Sequence, residues 1–233
     1  MNSFNEVREY WNERADNAKL NPNATTDDVY LRELEINTFA EEINKIKPLK
    51  VLDLGCGDGF TTLGVASKVE DINFLGVDYS TNMIKNANNR LKDFEDKVKN
   101  RVEFITGDAT KLLSLFEPES FDLIISSRCL INLPSTEQQY RTIEDISNLL
   151  KSNGSYISVE NFENGNNEFN KLRLKMELEP IPVRWHNLFF NQENYISKTK
   201  EFFKSVEVND FSSSYYYATR IIYSKYCQLK NEK

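Results

Sequence analysis

Three glycines at alternate positions, directly after a short apolar segment, constrain this chain more than any other feature. The apolar segment, residues 51–54, predicts a buried strand of a parallel sheet, and Gly55, Gly57 and Gly59 follow it. Glycine adopts positive φ without strain and lets the backbone approach a ligand closely. Helical spacing then resumes over residues 60–66. Strand, glycine turn and helix together predict a cradle for a nucleotide-type cofactor.

The charge of the turn distinguishes between cofactors. Its spacing is G-x-G-x-G rather than the G-x-G-x-x-G of dinucleotide-binding turns, and it contains Asp53 and Asp58. A carboxylate repels a pyrophosphate in a poorly screened site, whereas it attracts a ligand that carries an ammonium and a sulfonium. S-adenosylmethionine is such a ligand, so the turn favours it. The alternative is an ordinary glycine-rich strand-to-helix turn of an α/β protein.

The segment Asp53-Leu-Gly-Cys-Gly-Asp-Gly59 resembles motif I of the class I S-adenosylmethionine-dependent methyltransferases. The resemblance covers residues 48–161 motif by motif and the tail by topology. It implies that S-adenosylmethionine is the cofactor. The residues of the turn that then contact it are Asp53, Gly55, Cys56 and Gly57.

The second predicted strand, residues 72–77, ends at an acid. Asp78 lies roughly 20 residues beyond the glycine turn, where a carboxylate at a second strand end binds ribose hydroxyls. Tyr79 follows and is placed to lie against an adenine ring. Ser80 then caps the next helix ahead of Met83. This strand end is therefore predicted to hold the adenosine part of the cofactor.

The third predicted strand, residues 101–106, ends close to Asp108 and Ala109. The resemblance implies that the Asp108 carboxylate binds the adenine amino group. Alternatively, this carboxylate caps a helix over residues 110–116. Both roles are compatible if they use different oxygens of the carboxylate.

The fourth predicted strand, residues 121–126, ends at Ser126, in the position of motif IV. The resemblance places Ser126 beside the methionine part of the cofactor. The sequence Ser126-Ser-Arg-Cys129 lacks the D/N-P-P-Y/F pattern of DNA amino-methyltransferases, which argues against a DNA base as acceptor. Arg128 is a candidate partner for a substrate or cofactor carboxylate, or else a member of a structural ion pair.

Five β/α units in series predict a parallel, doubly wound α/β sheet of the Rossmann-like type. Two further predicted strands, residues 205–211 and 215–226, have no helix between them and imply an antiparallel hairpin. The resemblance then implies a seven-stranded sheet with a reversed C-terminal strand. We expect one domain, 1–233, made of a helical N-terminal cap (1–47), a cofactor-binding core (48–161), an acceptor-side insert (162–201) and a C-terminal strand pair (202–233).

Predicted N-terminal helices over residues 3–19 and 27–46 precede the first strand. In the resembling methyltransferases such helices often close over the cofactor and substrate. Tyr10, Trp11 and Arg14 are then candidates to reach the site. Simple packing and surface roles are the alternative for these three residues.

Two residues are candidate general bases for an acceptor proton. His186, with an ordinary pKa of about 6.5, suits neutral pH, but a single histidine among aromatic residues is also often structural. Glu160 follows the fifth predicted strand, and its alternative is binding to backbone amides or to Arg173 or Arg184. Those two arginines are also candidates to bind an acidic acceptor. Tyrosines 215–217 line the acceptor pocket or serve strand packing.

Composition narrows the function. The net charge of −7 argues against a nucleic-acid partner. The apolar runs are too short for a membrane span, and no secretory signal is visible at the start. The 3 cysteines are scattered without a zinc-type cluster, so we expect reduced thiols, a cytoplasmic location and no metal.

We therefore expect an S-adenosylmethionine-dependent methyltransferase that methylates oxygen or nitrogen of a small-molecule acceptor. The segments Arg128-Cys-Leu-Ile-Asn-Leu-Pro134 and Arg184-Trp-His-Asn187 resemble methyltransferases of sugar or surface-glycan modification, so a sugar or nucleotide sugar is one candidate acceptor. The alternatives are a non-catalytic partner protein that binds S-adenosylmethionine and, with less support from the glycine spacing, an NAD-dependent oxidoreductase.

Overall fold

The computed structural model describes residues 4–21 and 24–230. Residues 1–3, 22–23 and 231–233, which belong to the predicted N-terminal cap and C-terminal segment, lie outside the described residues. The elements in chain order are α1 (Phe4–Ala18), α2 (Val29–Ile46), β1 (Lys50–Leu54), α3 (Phe60–Ala66), β2 (Asn73–Asp78), α4 (Thr81–Leu91), α5 (Asp96–Lys99), β3 (Val102–Thr106), α6 (Leu112–Leu115), β4 (Phe121–Ser127), α7 (Thr136–Leu149), β5 (Leu150–Val159), α8 (Glu163–Lys175), α9 (Gln192–Thr199), α10 (Ser213–Tyr217) and α11 (Ser224–Lys230).

The five strands found within these residues form one parallel sheet in the order β3-β2-β1-β4-β5. Leu54 of β1 lies beside Val77 of β2 and Ser126 of β4, so the carboxyl ends of three central strands are level. Strands β2 and β3 are added on one side of β1, and β4 and β5 on its other side, so the strand order reverses between β1 and β4. In such sheets a crevice opens at this reversal, outside the carboxyl ends of the strands.

Helices cover both faces of the sheet, because successive strand residues point to opposite faces. Val51 and Leu123 are buried against α2, α3 and α4 on one face. Leu52 and Ile124 are buried against α7 and the segment around α9 on the other face. The predicted α/β, Rossmann-like class is therefore confirmed.

The prediction of seven strands with an antiparallel C-terminal strand is wrong. Residues 205–211 form no strand, and residues 213–230 form a helix in which α10 and α11 are joined by a π-helical turn, Ala218–Tyr223. The tyrosines and β-branched residues of this segment favour a strand only when a pleated neighbour receives them. Residues 207–210 are exposed and offer no apolar face for a hairpin partner.

Contacts to one distant residue explain why the tail is helical. Tyr215 donates a hydrogen bond to Asp28 over 2.6 Å, and Arg220 forms an ion pair with the same carboxylate. Residues five positions apart are about 7.5 Å apart along a helix axis but about 16 Å apart along a strand, so a helix brings both side chains within reach of one carboxylate. The predicted C-terminal strand pair is thus replaced by a helix that packs on the N-terminal cap.

Local contacts fix several helix boundaries. Helix α4 ends at Leu91, and a separate short helix, α5, follows it. Helix α8 begins at Glu163, directly after the bridge between Phe162 and Phe190. The predicted cap is present, because Ser80 accepts a hydrogen bond from Met83 N over 3.1 Å. No helix in the described part of the chain is both long and apolar enough to cross a lipid bilayer.

Candidate functional site

A cavity of about 710 Å³ opens at the carboxyl ends of the strands. Its floor is formed by the glycine turn and by the ends of β1, β2 and β5. Its roof comes from α1, from residues 25–28 and from the C-terminal segment around Tyr216 and Arg220. The cavity therefore lies between the sheet on one side and α1 and the C-terminal helical segment on the other.

The glycine turn presents bare backbone to the cavity. Gly55, Gly57 and Gly59 have φ values of 74°, 54° and 72°, in the left-handed region that favours glycine. A Cβ on Gly55 would lie 2.5 Å from Cys129 Sγ, and one on Gly57 would lie 2.9 Å from a methyl of Thr25. Cys56 also lines the cavity. At these positions any side chain would clash with a neighbouring one, so the turn requires glycine.

Asp53 and Asp78 lie at this turn and are nearly fully buried. Asp78 accepts hydrogen bonds from Gly57 N at 3.0 Å and Ser80 N at 2.9 Å, and Asp53 accepts one from the Thr62 hydroxyl at 2.5 Å. Burial raises the pKa of each carboxyl to about 6. Neither forms an ion pair within residues 4–21 and 24–230. A cationic ligand would supply the missing counter-charge.

Asp58 does not share this role, although the sequence places it in the same turn. It is 0% exposed, and its carboxylate lies 3.0 Å from Arg32 Nη2 of α2 and 2.7 Å from Arg90 Nη2 of α4. Two arginines therefore neutralise Asp58 and fasten both helices to the glycine turn. The sequence suggested that the Asp58 carboxylate attracts a ligand, but in the structure its charge is paired within the protein.

Of the other predicted cofactor residues, three line the cavity and Asp108 does not. Tyr79, Met83 and Ala109 line the cavity, and the Tyr79 hydroxyl is buried with no hydrogen-bond partner in the described chain. Asp108 accepts hydrogen bonds from Thr110 N at 2.9 Å and the Thr110 hydroxyl at 2.7 Å, which is the predicted capping alternative.

Ser126 is fully buried below the cavity floor. Its hydroxyl lies 2.8 Å from the Tyr156 hydroxyl. The Ser126 side chain does not line the cavity, whereas its neighbours in the chain, Ser127 and Arg128, do. The structure thus brings Asp53, Asp78 and Glu160 together at the cavity and leaves Asp108 and Ser126 outside its wall.

Glu160 lines the cavity but is bound to the protein backbone. Its carboxylate accepts hydrogen bonds from Leu130 N at 3.0 Å and Ile131 N at 3.4 Å. Burial raises its pKa to about 7, while these two bonds oppose the rise. Neither Arg173 nor Arg184 binds it within the described residues, since Arg173 instead donates to Glu179 O over 2.7 Å. The geometry thus matches the backbone-amide alternative for Glu160.

His186 lies in the wall of the cavity among aromatic rings. Its ring stacks on Tyr10 with a centroid distance of 4.7 Å, and the indole of Trp11 meets it edge-on at 5.3 Å. Its Nδ1 lies 2.9 Å from Asn132 Oδ1, and its Nε2 is buried without a hydrogen-bond partner among the described residues. Burial, with a smaller contribution from the charge of Arg184, lowers its pKa to about 4, while an interaction with the Asn187 side chain opposes the shift. The imidazole is therefore neutral at pH 7.

The sequence pointed to Tyr10, Trp11 and His186 but did not single out Asn132. Asn132 contacts both Trp11 and His186, and only its place in the segment 128–134 pointed to it. Arg14, the third candidate of α1, donates to Ala24 O over 3.1 Å. Tyr216 lines the cavity as predicted for one of the tyrosines 215–217, although it stands on a helix.

The sequence is similar to a family model and to a curated protein. A family model described as a methyltransferase domain matches residues 46–206. Demethylmenaquinone methyltransferase of Leptospira interrogans is 33% identical over 134 residues, which are 56% of this chain and 47% of that protein. This chain thus spans about half the length of that relative.

Solved structures share the fold. Magnesium protoporphyrin IX methyltransferase of Synechocystis PCC 6803, with bound SAH, superposes with a TM-score of 0.63 at 16% identity, over 85% of this chain and 88% of that one. Phosphoethanolamine N-methyltransferase 2 of Haemonchus contortus, in complex with S-adenosyl-L-methionine, gives a TM-score of 0.56 at 22% identity, over 84% and 42% of the two chains.

Proposed function

Since this chain belongs to the class I S-adenosylmethionine-dependent methyltransferase family, we propose that it transfers a methyl group from S-adenosylmethionine to oxygen or nitrogen of a small-molecule acceptor. The observation that carries the proposal is the pair of buried carboxylates, Asp53 and Asp78, beside a backbone cradle of three glycines with positive φ. The cavity that Gly55 and Gly57 line offers the space for a ligand, and the carboxylates favour a positively charged one.

In this proposal each residue at the glycine turn contacts a different part of the cofactor. Asp78 keeps free lone pairs for ribose hydroxyls, because each of its oxygens accepts only one hydrogen bond from the backbone. Tyr79 and Met83 supply an apolar surface for the adenine ring. Asp53 and the turn at Gly55 face the charged methionine part. When bound, S-adenosylmethionine supplies an electrophilic methyl group whose bond to sulfur breaks as the acceptor–methyl bond forms.

The remainder of the cavity is proposed to hold the acceptor. Aromatic and aliphatic side chains line part of this half, which supports an acceptor with an apolar face; those residues include Phe162, Phe169, Ile181, Phe189, Val206 and Phe211. Polar side chains, among them Asn166, Arg184 and Asp210, lie beside them and can bind polar groups of the acceptor. They exclude water and hold the acceptor atom in line with the methyl group, which supplies much of the rate enhancement in such a displacement. A sugar or nucleotide sugar stays one candidate, alongside ring compounds with a hydroxyl group.

His186 is proposed as the catalytic base. Its neutral imidazole carries a lone pair at pH 7, and its Nε2 has no partner in the described chain. The acceptor's O–H or N–H proton passes to this nitrogen as the methyl bond forms, so the acceptor does not carry a positive charge after transfer. Glu160 instead acts in this proposal by holding the backbone of residues 130–131.

The names of the relatives support a small acceptor without selecting one. They act, by name, on demethylmenaquinone, magnesium protoporphyrin IX and phosphoethanolamine, which have little chemistry in common. The proposal is tested by incubating the protein with methyl-labelled S-adenosylmethionine and a panel of quinols, phenols, amines and sugars. Labelled product together with S-adenosylhomocysteine is expected for at least one class. Binding of S-adenosylmethionine with no transfer to any acceptor would favour the non-catalytic alternative.

A further inference from the structure

Two hydrogen bonds determine where the oxygen and the nitrogen of the Asn132 side-chain amide lie. The indole Nε1 of Trp11 lies 3.1 Å from Asn132 Oδ1, and an indole N–H only donates. Asn132 Nδ2 lies 2.7 Å from the carbonyl oxygen of Arg128, which only accepts. Exchanging the amide oxygen and nitrogen would set donor against donor and acceptor against acceptor. The oxygen of Asn132 therefore faces Trp11.

The same oxygen faces His186. Its distance from His186 Nδ1 is 2.9 Å, and this oxygen accepts but cannot donate. A hydrogen bond therefore forms only if Nδ1 carries the proton. In a neutral imidazole the other nitrogen, Nε2, then holds the lone pair.

Resting on the proposed function, we infer that Trp11 and Asn132 are positioning residues that hold His186 in its Nδ1-protonated tautomer. Nε2 is thereby kept as a hydrogen-bond acceptor for the O–H or N–H of the methyl acceptor. The tautomer is set before the substrate arrives, so no proton rearrangement within the ring precedes methyl transfer.

The backbone on both sides of this contact is tied together. Leu188 N donates to Ile131 O over 2.6 Å. Gln139, which is buried, donates to the carbonyl oxygens of Leu130 at 3.1 Å and Leu188 at 2.8 Å. The Glu160 carboxylate receives the backbone N–H groups of Leu130 and Ile131 from the other side. The segment that carries Asn132 and the segment that carries His186 therefore keep a constant separation.

This arrangement serves both protonation states of the ring. The acceptor proton moves to Nε2 while the acceptor atom takes the methyl group, and the ring becomes an imidazolium. Nδ1–H continues to donate to Asn132 Oδ1, in a bond that is stronger when the donor is charged. After the product leaves, the ring releases the Nε2 proton to water that enters the cavity and returns to the same tautomer. The carbonyl oxygen of Asn132 thus supports the proton transfer without itself exchanging a proton.

The chain contains 1 histidine, which makes the tautomer directly measurable. Incorporation of ring-¹⁵N histidine gives one Nδ1 and one Nε2 signal, and nitrogen shifts separate a protonated ring nitrogen from one with a lone pair. We expect the proton on Nδ1 in the wild-type protein at pH 7. Tyr10→Phe is the control variant, because it keeps the stacked ring and is expected to leave both signals unchanged.

Two variants test the role of Asn132. Asn132→Leu removes the oxygen that accepts the hydrogen bond from Nδ1, so the fraction of His186 with the proton on Nε2 is expected to grow. The kcat is then expected to fall about tenfold or more, while the Kd of S-adenosylmethionine stays unchanged. Asn132→Asp again offers an oxygen to Nδ1, although its second oxygen loses the bond to the carbonyl oxygen of Arg128. Its spectrum is therefore the readout: the Nδ1-protonated signals are expected to return and the titration midpoint of His186 to rise.

The outcomes separate this inference from the proposed function. A wild-type spectrum with the proton on Nε2 overturns the inference whatever the activity, and it needs no variant. Unchanged signals in folded Asn132→Leu overturn the role of Asn132. A wild-type protein with the proton on Nδ1 that methylates no acceptor leaves the tautomer assignment standing and contradicts the proposed function instead.

Discussion

Glu35 of helix α2 and Arg128, directly after strand β4, form an ion pair in the wall of the cavity, with Arg128 Nη2 at 3.0 Å from Glu35 Oε2. The Glu35 side chain is 1% exposed, and Arg128 has a positive φ of 51°. The guanidinium is therefore engaged by the protein itself, which matches the structural alternative for Arg128. The pair fastens the N-terminal cap to the strand end that bounds the site.

Removal of the Arg128 guanidinium is expected to destabilise the fold. Arg128→Met leaves the Glu35 carboxylate buried without a counter-charge, at a cost of about 3 kcal/mol in free energy of unfolding. The matched control is Glu168→Gln, which breaks a pair with Lys171 whose side chains are 72% and 66% exposed and should cost under about 1 kcal/mol. Urea unfolding at pH 7 measures both, and equal losses in the two variants would contradict the buried pair's role.

Two glycine substitutions are expected to act in opposite directions. Gly55→Ala places a Cβ at positive φ and 2.5 Å from Cys129 Sγ, so we expect a loss of about 1–2 kcal/mol and weaker ligand binding. Gly165→Ala lies in helix α8 with nothing within 4 Å and should stabilise by roughly 0.5–1 kcal/mol. Urea midpoints test the contrast, and a neutral Gly55→Ala would show that the turn tolerates a side chain.

Cofactor affinity is expected to rise with pH between 5 and 7. Burial raises the pKa of Asp53 and Asp78 to about 6, so both carboxyls lose their charge on acidification to pH 5. A cationic ligand then loses roughly tenfold in affinity for each ionised carboxylate that it requires. Calorimetry across this range measures the effect. Asp53→Asn should flatten the profile, whereas a pH-independent Kd in the wild type would contradict the electrostatic argument.

The same pKa values predict the opposite trend for the stability of the unliganded protein. A carboxyl whose pKa is raised on folding stabilises the fold at pH below its ordinary value of 3.8, and this contribution is lost as the pH rises through about 6. The cofactor should therefore stabilise the protein more at pH 7 than at pH 5. Melting temperatures with and without S-adenosylmethionine at the two pH values check the sign.

Replacement of the proposed base is expected to affect turnover rather than cofactor binding. His186→Gln should lower kcat by about 10²–10⁴-fold, because the acceptor proton loses its destination, and should leave the Kd of S-adenosylmethionine unchanged. With the pKa of His186 lowered to about 4, the wild-type contribution of this base should be constant from pH 6 to 8. Near-normal kcat in His186→Gln would show that the imidazole is structural.

Local patterns explain what was predictable. The β1 strand and the glycine turn are encoded by adjacent residues, so their position and the convergence of Asp53, Asp78 and Glu160 on one cavity followed from spacing and from parallel topology. The positive φ values at Gly55 and Gly57 were predictable in the same way, since closely spaced glycines after a strand indicate a turn that other residues would strain.

Partners distant in the chain explain what was not predictable. Asp58 differs from Asp53 only because Arg32 and Arg90 reach it, and no local pattern indicates which helices carry those arginines. The tail is helical because Tyr215 and Arg220 meet Asp28, nearly the whole chain away. Such contacts are set by tertiary packing, which overrides the strand propensity of aromatic and β-branched residues.

The central claim is that the acidic strand ends bind S-adenosylmethionine, and titration calorimetry with three proteins tests it most directly. The wild type and Asp93→Asn, which changes an exposed carboxylate beyond α4, should bind with equal Kd. Asp78→Asn should bind about tenfold more weakly or worse, because it loses a charged hydrogen-bond acceptor at the cradle. Absence of binding in the wild type, or an unchanged Kd in Asp78→Asn, would contradict the claim.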